Sequence, residues 1–435
     1  MTTTKNNEHK KLNFSSEREQ SQACLNSAEH EKNQGRKVLN VPNLRFKEFQ
    51  GEWKRTIFKN VITLQRGSSP RPIIEYVTTS DDGVNWIKIG DMPHFGRIVT
   101  STEEKITKEG AKKSRQVNKG DLILSNSMSY GLPYIMGIDG YIHDGWFVLK
   151  NFENTFDKDY LCNLLISSAI QNQYKRLAAG GVVQNISSDL VNSVSVSIPT
   201  MMEQKKISSL LNLIDERIAT QNKIIEDLKK LKSAIIEKVF NGKHSEKLQL
   251  NDVGSYIRGL TYSSNDVVEH GGTLVMRSNN IVNGSLLDYN NNVVFVNKQM
   301  SAEQQLQNGD VVICMANGSS SLVGKSSFYD GNCHSPITVG AFCGIYRSKE
   351  PIVKWLFQTN KYRRYIWNSL QGGNGAIANL NGGDILNMSF SIPNATIKDT
   401  CVKMLTSVDS ALENNMSLCT LYTLQKQHLL RQMFI

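Results

Sequence analysis

Between Glu203 and Phe240 the apolar residues fall on one face of a helix. Ile207, Leu211, Ile214, Ile218, Ile225, Leu228, Ile235 and Val239 recur at steps of three or four with occasional longer ones, and Lys and Glu fill the rest. Such a stripe predicts a long amphipathic helix, which Asn241-Gly242 stops as a C-terminal cap would. A second stripe, Leu405, Val408, Leu412, Cys419, Tyr422, Leu429 and Met433, predicts a like helix at the end of the chain. A stripe this narrow needs a partner, and two like helices ending in like sequences can pack antiparallel as a coiled coil. At about 1.5 Å per residue each spans on the order of 60 Å. Taken alone, the rod reads as a structural coiled coil.

Outside the stripes the apolar runs are short. "DLILS" and "SVSVSI" read as strands between Gly, Asn and Asp turns. Each is accompanied by a helical piece, "DYLCNLLISSAIQNQYKRLA" in one half and "IVKWLFQTNKYRRYIWNSL" in the other. This mixture predicts α+β modules with a mainly antiparallel sheet.

The two halves repeat one another. "SIPT" at 197–200 returns as "SIPN" at 391–394, an offset of 194 residues. At the same offset Ile214-Asp215 meets Val408-Asp409, Ile218 meets Leu412, Lys232 meets Lys426 and Phe240 meets Phe434. At slightly different offsets "NVITLQRG" answers "DVGSYIRG", "WIKIGDM" answers "VMRSNNI", "NKGDLIL" answers "QNGDVVI", and "GGVVQNISSDLVN" answers "GGNGAIANLNGGDILN". The fold class expected is therefore α+β, with two pseudo-repeated modules separated by two long antiparallel coiled-coil helices. The expected limits are a polar flexible leader over 1–40, modules over 41–200 and 243–393, and helices over 201–242 and 394–435.

Charge narrows the function. The 435 residues carry a net charge of +10, which favours an acidic partner, nucleic acid first and an anionic membrane surface second. No run approaches the roughly 18 apolar residues of a membrane span, and the N-terminus lacks the apolar core of a signal peptide. The seven Cys include no Cys-x-x-Cys pair, which fits reduced thiols in a cytoplasm. Cys333-His334 with Cys343 is too irregular, and too short of a fourth ligand, for a zinc site.

A duplicated basic module on a fixed spacer suits a target with two separated sites, as DNA offers at roughly 34 Å per turn. Arg can fork onto guanine, Asn or Gln onto adenine, and Lys meets phosphate. The candidates are Lys88, Arg97, Lys112, Lys113, Arg115, Asn126, Gln184 and Asn185 in the first half. In the second they are Arg277, Asn279, Asn280, Asn317, Lys325 and Asn379. "KYRRY" (361–365) and Lys175-Arg176 fit a phosphate-facing helix, and equally a helix that buries its aromatics.

"NGSSSLVGKSSF" (317–328) nearly spells a phosphate-binding loop but has five residues, not four, between Gly318 and Gly324. By the repeat, Gly324-Lys325 stands where Gly131-Leu132 stands in the first half, which has no Lys-Ser, so it reads as a loop of the second module and not as a nucleotide site, with Lys325 a candidate phosphate contact. No Pro-Pro-aromatic methyltransferase run occurs. Glu52 and Lys54 carry only the tail of a nuclease spacing. His143-Asp144, neighbours on an expected strand, would point to opposite faces. No catalytic centre is expected.

"PNLRFKEFQGEWK", "WIKIGDM", "NKGDLIL", "VQNISSDLVNSVSVSIP" and "EQKKISSLLNLIDERI" leading to "KVFNG" together resemble the specificity subunit of type I restriction–modification systems over residues 41–435. The resemblance implies a non-catalytic chain in which two target-recognition domains each read half of a bipartite, asymmetric duplex target. It implies that the helices (Ile207, Leu211, Ile214, Ile218, Ile225, Leu228 and Ile235 against Leu405, Val408, Leu412, Tyr422 and Leu429) space the halves and dock two methyltransferase subunits. Motor-nuclease subunits would join them, with S-adenosylmethionine, ATP and Mg2+ on the partners and no cofactor here. A modification-only system is the alternative; a non-specific basic coiled-coil DNA scaffold and an NTP-hydrolysing enzyme are the rivals from other classes. The second helix begins "TIKDTCV" where the first has "EQKKI", which implies a different docking there.

Overall fold

The computed structural model describes residues 39–93, 95–126, 131–178, 186–242, 246–370 and 378–435. They fall into two units, one ending at Ala219 and completed by Tyr422–Ile435, the other Thr220–Leu421.

In the first unit a five-stranded sheet runs in the order Thr63–Arg66, Trp146–Lys150, Leu122–Ser125, Pro133–Met136, Ile98–Val99. Its central strands are apolar on both faces because side chains alternate and both faces are covered. Leu122, Leu124, Phe147 and Leu149 enter one core with the helices Lys158–Ile166 and Ser168–Ala178. Ile123, Trp146 and Val148 enter another with Ile87, Val117 and Ile142. Those last three belong to a second sheet, ordered Val77–Thr78, Glu104–Ile106, Val84–Ile87, Gly140–Ile142, Arg115–Val117. Most pairs are antiparallel, but Trp86 pairs with Tyr141, and Ile98 with Ile135, in parallel.

The second unit repeats this plan. Gly254–Arg258, Cys343–Ser348, Val311–Cys314 and Ser326–Phe328 form its central sheet. Val311, Ile313 and Tyr346 face the helices, whereas Val312, Cys314 and Ile345 face the other sheet. In that sheet Val275 and Thr338 make the parallel pair that answers Trp86 and Tyr141. In each unit the helical piece read as continuous is broken. Ser167 is extended, with ψ 154°, between the two helices of the first. In the second, Val353–Leu356 and Asn360–Leu370 are separate.

A two-stranded seam closes each module. Lys54–Ile57 pairs with Ser195–Ile198, and Glu246–Gln249 with Ser389–Ile392. Each seam's second strand feeds a long helix, Met201–Phe240 or Ala395–Gln432. In the first unit Ile207 and Leu211 share a core with Leu430, Met433 and Phe434. In the second, Ile225, Leu228 and Ile235 share one with Val408, Leu412 and Cys419. There Gln221 meets Asn415, Asn222 lies 3.5 Å from Cys419 and Lys232 lies 2.7 Å from Asp409. From residue 222 to residue 232 the partner falls from 419 to 409, so the pair is antiparallel in that unit. Leu405 instead enters the module's core with Trp355 and Phe390.

The longer steps in the stripe are positions where a buried polar residue stands. Gln221 and Lys232 are each 6% exposed. Lys232 pairs with Asp409, which also faces Lys354 at 3.4 Å and accepts from Trp355 Nε1 at 3.0 Å. In the first unit the equivalent residues Lys426 and Asp215 pair at 2.5 Å, and Arg97 reaches Asp215 at 2.8 Å. Burial pushes both lysines below their ordinary pKa, and their carboxylates oppose that shift. The same joint of helix Asp, helix Lys and a group from the module thus occurs once per unit.

Candidate nucleic-acid interface

Backbone constraints bring four loops of the first unit to one rim. Gly67 donates to Trp146 O at 2.9 Å, and a Cβ there would sit 1.9 Å from His143 O, so only glycine permits the approach. Asn126 N donates to Gly145 O at 3.0 Å and Ile186 N to Asn126 O at 2.8 Å. The second unit uses the same stitching. A Cβ on Gly259 would lie 2.2 Å from Gly340 O, and Met315 N and Leu380 N donate to Phe342 O and Met315 O.

On the first rim Asp144 is the hub. Ser69 Oγ donates to its carboxylate at 2.7 Å and Arg71 at 3.2 Å. Arg66 Nε and Asn126 Nδ2 donate to its backbone oxygen at 3.3 and 2.9 Å. The Ser69 hydroxyl, more than the Arg71 charge, holds the Asp144 carboxyl below its usual range. His143 is pushed below its ordinary pKa by burial between Trp86 and Trp146. The two neighbours occupy a turn and not the strand expected, and His143 Nδ1 accepts from Gly145 N at 2.8 Å. Arg66, Arg71 and Arg115 are exposed around this hub. The surface offers forked donors at the end of a rigid sheet, as base and phosphate contacts require.

The other sequence candidates divide. Arg115 belongs to the rim, its Nε donating to Arg66 O at 3.2 Å. Lys88 is tied to Glu104 at 2.7 Å, which raises its pKa. Lys112 and Lys113 are exposed at the end of the short helix Lys108–Lys112, and Lys113 rests over Tyr76. Asn126 is buried, with its amide engaged on Asp144 O. Arg97 is turned to Asp215 and to Asn163 Oδ1 at 3.1 Å, which makes it a joint between module and helix. Gln184 and Asn185 lie outside the described residues.

In the second unit Arg277 and Asn279 are exposed. Asn280 is fully buried: it accepts from Arg277 N and donates to the Asp288 and Asn291 oxygens, so it braces the turn. Asn317 donates to Ser278 Oγ at 3.3 Å, and Asn379 is exposed on the strand paired with Ala316. Lys325 borders a hollow of about 200 Å³ with Ser320, Arg363 and Trp367. In the helix Asn360–Leu370, Tyr362 is buried while Arg363 and Arg364 are exposed.

The near-phosphate loop runs into the strand Ser326–Phe328, not into a helix. Its amides close the hairpin, with Gly324 N on Cys314 O at 2.8 Å and Val323 N on Ser320 O at 3.2 Å. The fan of free amides and the helix N-terminus of a nucleotide loop are not formed. Among the described residues no group of three His, Cys, Asp or Glu is placed to hold a metal, and no helix is long and apolar enough to cross a membrane.

Comparison with known proteins turns this surface into a class. A family model described as the type I restriction modification DNA specificity domain matches residues 24–230. The StySPI specificity subunit of Salmonella potsdam is 21% identical over 78% of each chain. The EcoKI specificity subunit of Escherichia coli is 33% identical over 158 residues, 34% of this chain and 31% of that one. Nearly half of the chain thus matches the type I DNA specificity domain. A crystal structure of the type I S subunit from M. genitalium has the same fold, with a TM-score of 0.56 at 14% identity, over 91% of this chain and 99% of that one. A chain from a study of complex assembly and conformational transition in the type I R-M system gives 0.50 at 14% identity, over 87% and 96%. Specificity subunits are the non-catalytic, DNA-recognising components of these systems and assemble with their other subunits.

Two features of this chain escaped the reading of its sequence. Arg66, Ser69 and Arg71 in "QRGSSPRP" meet Asp144 in "IHDGW" only after folding, and no spacing pattern links them. The helix joints did leave a signal, since Asp215/Asp409 and Lys232/Lys426 keep the common offset inside apolar stripes.

Proposed function

We propose that this subunit reads a bipartite, asymmetric double-stranded DNA target in the cytoplasm, one half through residues 41–200 and the other through 243–393. The two long helices form an antiparallel coiled coil that fixes the gap and docks two adenine methyltransferase subunits. Those partners hold S-adenosylmethionine and flip out an adenine in each half. Motor-nuclease subunits, using ATP and Mg2+, complete the restriction complex. The observation that supports this reading most is the repetition of rim and joint in both units on different side chains. One scaffold carries Asp144 with three arginines, the other Arg277 with Asn317 and Phe342. Two readers of different sequence on one frame suit an asymmetric target.

The test is adenine methylation mapped by single-molecule sequencing in cells co-expressing this chain with its methyltransferase, against cells lacking this chain. A new motif of two short halves around a constant gap is expected. Unchanged methylation, despite co-purification of the two subunits, would remove the proposal.

A further inference from the structure

Phe342 is 67% exposed, unusual for a large aromatic on a rigid turn. The turn is bolted down: Cys343 N donates to Gly340 O at 2.8 Å, and Phe342 O accepts from Met315 N at 2.9 Å and Ala316 N at 3.1 Å. The ring therefore projects from a fixed backbone without packing into either core. With Tyr262, Arg277 and Ser278 it lines a hollow of about 330 Å³. Asn317 and Asn379 border the same turn through the strand pair they occupy.

One ring among polar side chains is too small an apolar surface for a protein interface. It does match a base edge. In the major groove Arg reads guanine, Asn reads adenine, and an apolar side chain meets the 5-methyl group of thymine. The first module offers no counterpart, because Gly145 stands at the matching place and is buried, while Asp144 binds Ser69 and Arg71.

We propose that Phe342 contacts a thymine 5-methyl group in the half-site read by the second module. This rests on the reading that residues 243–393 read one half, and names a residue that sets its sequence. The test uses the purified complex of this chain with its methyltransferase and duplexes bearing the mapped target. Deoxyuridine replaces each thymidine in turn. At one position in the second half uracil should weaken binding about fourfold, the value of one buried methyl. The same substitution should leave Phe342→Ala unaffected, and Phe342→Trp should keep the sensitivity. First-half substitutions should act alike on both proteins. Three results would each overturn the proposal: a second half without thymine, equal uracil sensitivity in Phe342→Ala, or undiminished binding by that variant. A wild-type complex with no sequence preference would remove the underlying reading as well, which separates the two failures.

Discussion

Replacing Lys232 by Met strands a carboxylate. The Asp409 side chain is about 6% exposed and takes its nearest cation from the equally buried Lys232 at 2.7 Å. After the change it keeps Lys354 at 3.4 Å and Trp355 Nε1 at 3.0 Å, so part of the compensation survives. Breaking a buried pair by removing one partner costs about 3–5 kcal/mol, and the surviving contacts put this case near the lower bound, about 3 kcal/mol. For a unit of this size that lowers Tm by about 6–12 °C. Lys426→Met is the matched control. Asp215 is 30% exposed and retains Arg97 at 2.8 Å, so its loss should be about 1 kcal/mol. Urea unfolding of the full chain followed by circular dichroism gives both values, each unit being fitted separately if two transitions appear. The double variant Lys232→Met/Asp409→Leu should recover more than half the loss, with the remainder due to the unpartnered indole N–H of Trp355. The reasoning is refuted if Lys426→Met costs as much as Lys232→Met, or if the double variant is no more stable than the single.

Three further outcomes are expected. Gly324→Ala places a Cβ 2.8 Å from Ile366 at φ +82°, and should cost about 1–2 kcal/mol in thermal unfolding; Gly318→Ala, in open space, should stay within about 0.5 kcal/mol, a change no phosphate loop would tolerate in binding. Asp144 has a folded pKa below its unfolded value of about 3.9, so its contribution is present above that pH and lost as pH falls through the folded value; Asp144→Asn should flatten the acid limb of a stability–pH profile, and a steeper limb would contradict this. Lys112→Ala should weaken binding to all DNA sequences alike and reduce the slope of log K against log salt by about one, whereas a change in the recognised sequence would mean that Lys112 touches a base.

The helices were the most legible part of the chain, because a long amphipathic stripe is a local signal that tertiary contacts reinforce. Its longer steps carry no explanation in the sequence, since a buried Lys232 or Gln221 reads as polar until its partner across the helices is known. Strands such as Leu122–Ser125 were legible for their uniform apolarity, whereas parallel pairings such as Trp86 with Tyr141 were not, because they depend on residues far apart in sequence. Residue type alone identified exposed donors such as Arg115 and Arg277. It failed at Arg97 and Asn280, whose side chains satisfy groups inside the protein. A loop's polar residues can serve either side, and only the fold decides which.

The most direct measurement of the central claim is the methylated motif after residues 41–200 are exchanged for the corresponding module of another type I specificity subunit. One half of the motif should change to that subunit's sequence, with the other half and the gap preserved. A change in both halves, or in the gap alone, would contradict the assignment of one half-site to each module.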